Sequence, residues 1–220
     1  MKKLFILIAL TVVSTGIMAQ NAQFGIRMGL NFPSLQSSTS FSPNSEYKTS
    51  TKFLLGILTN IKVGNATLQP GLNFSVKGNK SVEQQNSISY GYPVPYTTER
   101  NINLYYLEIP VNLFYNKEID LGTFYAGGGP YGAYAINGRM RSINKRDIYI
   151  KRGHVDNISF GNEPTQLKAA DFGVNAVAGF RLKNGMDLSA SYGFGLTNIS
   201  NDAAYKSHNR QISLALGYLF

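Results

Sequence analysis

Apolar and polar residues alternate along most of this chain with a period of two. In residues 211–220, Ile212, Leu214, Leu216, Tyr218 and Phe220 share one face. Gln211, Ser213, Ala215 and Gly217 share the other, with Leu219 alone out of pattern. A strand with one apolar face and one small or polar face lies between two different solvents. Seven earlier segments repeat the pattern. Phe24, Ile26, Met28, Leu30 and Phe32 oppose Gly25, Arg27, Gly29 and Asn31; Phe53, Leu55, Ile57, Ile61 and Val63 oppose Lys52, Gly56, Asn60 and Lys62. A third strand sets Leu68, Pro70, Leu72, Phe74 and Val76 against Thr67, Gln69, Gly71, Asn73, Ser75 and Lys77. Its Pro70 removes one ladder donor. A fourth, about 102–115, turns Tyr105, Leu107, Ile109, Val111, Leu113 and Tyr115 outward, and a fifth, about 122–136, is glycine-rich with both phases open. The sixth sets Phe172, Val174, Ala176, Ala178, Phe180 and Leu182 against Asp171, Gly173, Asn175, Gly179, Arg181 and Lys183. The seventh sets Met186, Leu188, Ala190, Tyr192, Phe194 and Leu196 against Asp187, Ser189, Ser191, Gly193, Gly195 and Thr197.

The connections alternate in length. Gly64-Asn65, residues 116–120 and Asn184-Gly185 are tight, and Asn-Gly between alternating runs is a strong hairpin signal. Residues 33–51, 78–101, 137–168 and 199–209 are long and polar. These patterns predict an all-β fold: an eight-stranded, antiparallel, up-and-down transmembrane β-barrel with short periplasmic turns and long extracellular loops. The alternative is a soluble lipocalin-like barrel with its apolar faces inward. The polar faces argue against it, being rich in Gly, Ser, Asn and Thr rather than the long charges of a solvated surface. The apolar faces also have membrane-spanning length, about 9–11 residues.

Before the first strand, Met1-Lys2-Lys3 is basic, Leu4 to Val13 is apolar, and small residues end at Ala19. This pattern predicts a cleaved signal peptide over residues 1–19 and a single barrel domain over 20–220. No cysteine occurs, which excludes disulfides, thiolate metal sites and a Cys nucleophile. Tyr (14) and Phe (13) are abundant, as suits membrane interfaces. The net charge is +9, or +7 without Lys2 and Lys3. In an exported barrel that excess meets anionic lipid headgroups, and no nucleic-acid partner is expected.

Several stretches resemble the PorT-type outer-membrane β-barrel family. They are residues 23–31 (QFGIRMGLN), 105–111 (YYLEIPV), 124–132 (FYAGGGPYG), 171–175 (DFGVN) and 191–199 (SYGFGLTNI). The resemblance runs in order along essentially the whole mature chain. It implies an outer-membrane location in Gram-negative bacteria; the link to protein secretion belongs to the family's namesake and does not carry over with the resemblance. It carries no catalytic residues. Phe220 likewise resembles the terminal signal read by the barrel assembly machinery.

The residues with chemical potential are few. His154 has Asp156 and Ser159 close in sequence, and His208 has Ser207 and Asp202. A base must lie within hydrogen-bond reach of its nucleophile, and short local spacing does not create a triad. No catalytic site, metal or cofactor is expected, and a lipid-A-modifying enzyme is the weaker alternative. Residues 138–168 carry Arg139, Arg141, Lys145, Arg146, Lys151, Arg152 and Lys168 against Asp147, Asp156 and Glu163, seven minus three, or +4. Arginine forks suit lipopolysaccharide phosphates, although charge runs are usually just solvated loops. The 78–101 segment, with Tyr90, Tyr92, Pro93, Pro95 and Tyr96, could present aromatics to a surface partner, be disordered, or extend the hairpin as strand. Inside the barrel, Arg27, Lys52, Glu108, Asp171, Arg181 and Asp187 could pair across the lumen, and eight strands leave only enough room for side chains to fill. Glu108, the one acid on an apolar strand, should face inward beside a base. Residues 127–129, three glycines, lack the strand-to-helix context of a phosphate loop and suggest close backbone packing. The expected role is non-enzymatic, structural in the envelope or interacting through surface loops, with a transport or secretion accessory as the alternative.

Overall fold

The computed structural model describes residues 22–37, 45–89, 92–146, 150–202 and 206–220. The expected signal segment, residues 1–19, lies outside them. Eleven strands form one antiparallel sheet: β1 (Ala22–Ser37), β2 (Ser45–Lys48), β3 (Lys52–Val63), β4 (Ala66–Lys77), β5 (Lys80–Ser89), β6 (Tyr92–Ile119), β7 (Gly122–Arg146), β8 (Ile150–Asn157), β9 (Ala170–Leu182), β10 (Met186–Gly195) and β11 (Ser207–Leu219). Eight of them close a ring in the order β6-β4-β3-β1-β11-β10-β9-β7, because β7 pairs back onto β6. Closure removes the unpaired edges that an open sheet exposes.

The remaining strands lie where long loops were expected. β5 continues β4 past Gly78 in unbroken register against β6, from Lys77↔Leu104 to Lys80↔Asn101. β2 and β8 flank this extension, so β2-β5-β6-β7-β8 stands as a sheet beyond one end of the ring. Residues 80–89 and 92–101 are therefore paired strand, the hairpin extension that was one of the readings of 78–101, and residues 139–146 and 150–157 are paired strand where a loop was expected. At the other end the turn between β6 and β7 is Asp120-Leu121, since β6 runs to Ile119 rather than stopping near residue 116.

Alternation is obeyed around the ring up to a β-bulge at Ile136 in β7. Phe24, Met28, Leu55, Ile57, Ile109, Leu113, Phe172, Leu188, Ile212 and Leu216 all lie exposed on the outside. The fifth predicted strand, β7, resolves with Phe124 and Tyr134 outside and Tyr125 and Tyr131 inside. Soluble proteins rarely expose contiguous apolar patches beyond a few hundred Å². An apolar wall on every strand of the ring suits lipid and overturns the lipocalin-like alternative.

Close backbone packing explains the glycine triplet. A Cβ on Gly127 or Gly129 would strike the carbonyls of Leu113 or Val111 on β6, and one on Gly128 the carbonyl of Asn175 on β9. Three prolines also mark the wall. The β3–β4, β4–β6 and β6–β7 ladders each skip two rungs beside Pro70, Pro110 and Pro130 in turn. A proline cannot donate to a ladder, so a line of missing rungs crosses three neighbouring interfaces.

Candidate functional site

The lumen is filled, and its filling is layered. At the end bearing the extended sheet, lumen-facing Leu104, Tyr106, Tyr131, Ala133 and Ala135 form an apolar cluster with Ile199. Ile158, Phe160 and Leu167, from the connection after β8, pack against it. That connection is pinned by hydrogen bonds from the Leu167 amide to the Ser159 carbonyl and from the Lys168 amide to the Ile199 carbonyl.

Beside this plug sits Lys77, fully buried. Its Nζ lies 2.9 Å from Glu108 Oε2 and 3.3 Å from Asp171 Oδ2. The same ammonium stands 4.3 Å from the ring centroid of Tyr131 and 5.2 Å from that of Tyr106. Asn209 Nδ2 donates to Asp171 Oδ2 at 2.9 Å. Ion pairs, amide bonds and aromatic faces together replace the water that these charges give up. Glu108 thus faces inward beside a base, as its place on an apolar strand required.

Next along the lumen, Arg27 donates through Nε and Nη2 to Asn73 Oδ1 at 3.0 and 2.9 Å. A cavity of about 30 Å³ lies there, lined by Arg27, Asn73, Glu108, Asn112, Ser191 and Gln211 among others. It has room for little more than a water or two. Near the short-turn end, Arg181 Nε approaches Asp187 Oδ1 at 3.3 Å, and Tyr125 OH donates to Asp187 Oδ2 at 2.7 Å. Three cations, Lys77 buried and Arg27 and Arg181 partly buried, thus balance three buried carboxylates, Glu108, Asp171 and Asp187. At this end the interior widens into a vestibule of about 480 Å³ beside Lys62, Glu118, Arg181 and Asn184.

Sequence reasoning placed Glu108, Asp171, Arg181 and Asp187 in the lumen network but omitted Lys77 as their partner. Its position on the polar face of β4 was the available signal. Arg27 and Lys52, two of the six residues expected to pair across the lumen, form no ion pair among the described residues: Arg27 binds Asn73, and Lys52 Nζ donates to Asn101 at 2.8 Å and also to Asn103.

A family model for the outer membrane protein beta-barrel domain matches residues 18–201. The chain belongs to this family. No curated protein matches the barrel. Among solved structures, Ail of Yersinia pestis, in complex with the heparin analogue sucrose octasulfate, aligns at 9% identity and TM-score 0.40, covering 91% of this barrel chain and 99% of Ail. Neisserial surface protein A aligns at 11% identity and TM-score 0.41, covering 90% and 99%. An outer membrane channel of Pseudomonas putida aligns at 11% identity and TM-score 0.28, covering 91% and 96%.

The barrel's histidines lie apart from this network. His154 Nε2 meets Asp156 Oδ1 at 2.7 Å on β8, but the histidine side chain is 77% exposed. His208 stands opposite Gln36. Among the described residues no hydrogen bond joins either histidine to a serine, and no group of three metal-binding side chains occurs.

Proposed function

We propose that the protein is an integral outer-membrane barrel of the PorT type, delivered by a signal peptide, with a structural or surface-interacting role and no enzymatic activity. One observation carries this reading: the outer wall is apolar on every strand of the ring, while the lumen is filled with mutually paired side chains. The filled lumen disfavours a solute pore, and the exposed His154–Asp156 pair, open to water, disfavours a lipid-modifying enzyme. The extended sheet β2-β5-β6-β7-β8 then stands outside the cell and carries the surface role. Migration of the protein from purified outer membranes on gels, boiled and unboiled, tests this. A heat-dependent shift in that fraction is expected, and a soluble periplasmic protein would refute the reading. A secretion accessory role remains the second reading; it would rest on the extended sheet and would appear as a secretion defect on deletion.

A further inference from the structure

The basic run of β7 faces sideways toward lipid, and one β-bulge decides it. Up to Ala135 the odd-numbered residues Tyr131, Ala133 and Ala135 are buried in the lumen. Tyr106 opposes Ala135, but Tyr105 opposes Asn137, which leaves Ile136 as an extra residue. Beyond it the phase is reversed. Gly138 is now the inward, buried position, where a Cβ would lie 2.8 Å from Ile158. Arg139, Arg141 and Lys145 are exposed on the outward side, continuing the face of Tyr134 and Ile136. Without the extra residue, strict alternation would aim both arginines over the lumen.

Their surroundings separate these cations. Lys145 is bonded to Glu99, and Lys80 lies 3.7 Å from the same carboxylate. Arg139 and Arg141 have no carboxylate within 4.0 Å among the described residues, and their cross-strand neighbours are Asn103, Asn101, Asn157 and Val155. With Ile143 next on the same face and exposed Val155 opposite Arg141, they stand, at about 3.3 Å per residue and a tilt near 40°, roughly 8 and 13 Å above Ile136. That is the depth of lipid headgroups.

We propose that Arg139 and Arg141 form a docking surface for a phosphorylated glycolipid of the outer leaflet, lipid A. Its phosphates would seat on the two guanidinium forks and its acyl chains along Tyr134 and Ile136. The proposal rests on the outer-membrane reading with the extended sheet outward. Charge complementarity and continuity with the lipid-facing wall select this occupant over a soluble one.

The test uses the folded full chain in zwitterionic micelles, with heat-shift gels on every variant as the fold control. Bisphosphoryl lipid A, and the same lipid after dephosphorylation, are titrated and read by native mass spectrometry. Arg139→Gln/Arg141→Gln is expected to weaken the phosphorylated lipid about tenfold or more while keeping the heat shift. Lys117→Gln/Lys183→Gln, at the opposite end, should leave it unchanged, and the dephosphorylated lipid should bind wild type as weakly as the arginine variant. Equal binding by the arginine variant, or a wild type blind to the phosphates, would overturn the lipid site. Arginine-dependent binding of heparin in preference to lipid A would overturn it in favour of a soluble polyanion. Loss of the heat shift in wild type would instead overturn the barrel reading itself.

Discussion

Lys77 shows what a single residue contributes. Its ammonium is held by two carboxylates and two aromatic rings, so Lys77→Met leaves Glu108 and Asp171 buried without their cation. Breaking a buried pair in this way costs about 3–5 kcal/mol. Urea unfolding in micelles should show that loss, and adding Glu108→Gln and Asp171→Asn to Lys77→Met should recover most of it, because no charge is then stranded. The inward aim of Glu108 was legible from alternation alone, since a carboxylate on an apolar strand cannot face lipid. Its partner was not, because which lysine meets it depends on the register that sets Lys77 opposite Leu104.

At the scale of elements, the strands carry their weak and tight places in backbone chemistry. The missing rungs beside Pro70, Pro110 and Pro130 should exchange amide hydrogens faster than the rest of the wall. Hydrogen-exchange mass spectrometry would show peptides across 59–60, 69–72, 109–112 and 129–130 as its least protected stretches. Gly128 marks the opposite case. Gly128→Val drives a side chain into the Asn175 carbonyl, and the heat-shifted form on gels should be lost or strongly reduced. On the extended sheet, the hydrogen bond from Lys145 holds the Glu99 carboxyl below its ordinary range. A depressed folded pKa means that the contribution is present above the unfolded value and is lost as pH falls through the folded one. Protease resistance of the β6–β7 hairpin should therefore hold at neutral pH and loosen only in acid, and Lys145→Ala should remove that step. The β5–β6 hairpin was only one of several readings the sequence allowed and the β7–β8 hairpin was not foreseen, since strands polar on both faces show no period-two contrast. The β7 bulge was hidden too, because Ile136-Asn137 carries no local signature that separates a bulge from regular strand.

For the whole molecule, the layers of filling act in series. Phe160→Ala thins the apolar plug but leaves the Lys77 and Arg181 layers in place. Planar-bilayer recordings should therefore show no steady conductance for either the native protein or this variant. A stable channel in the native protein would mean that the buried pairs open in the membrane, and would favour the transport reading.

The sequence by itself determined the ring strands, the inside and outside faces of all but the glycine-rich β7, and the inward position of Glu108. These follow from local alternation and from the cost of placing charge against lipid. Only the tertiary structure decided that Lys77 is the hub of the lumen, that residues 158–169 help close one end, and that Arg139 and Arg141 point outward. Each of those depends on register between strands distant in sequence, or on one inserted residue that reverses a face. Neither leaves a mark in the pattern of any single strand.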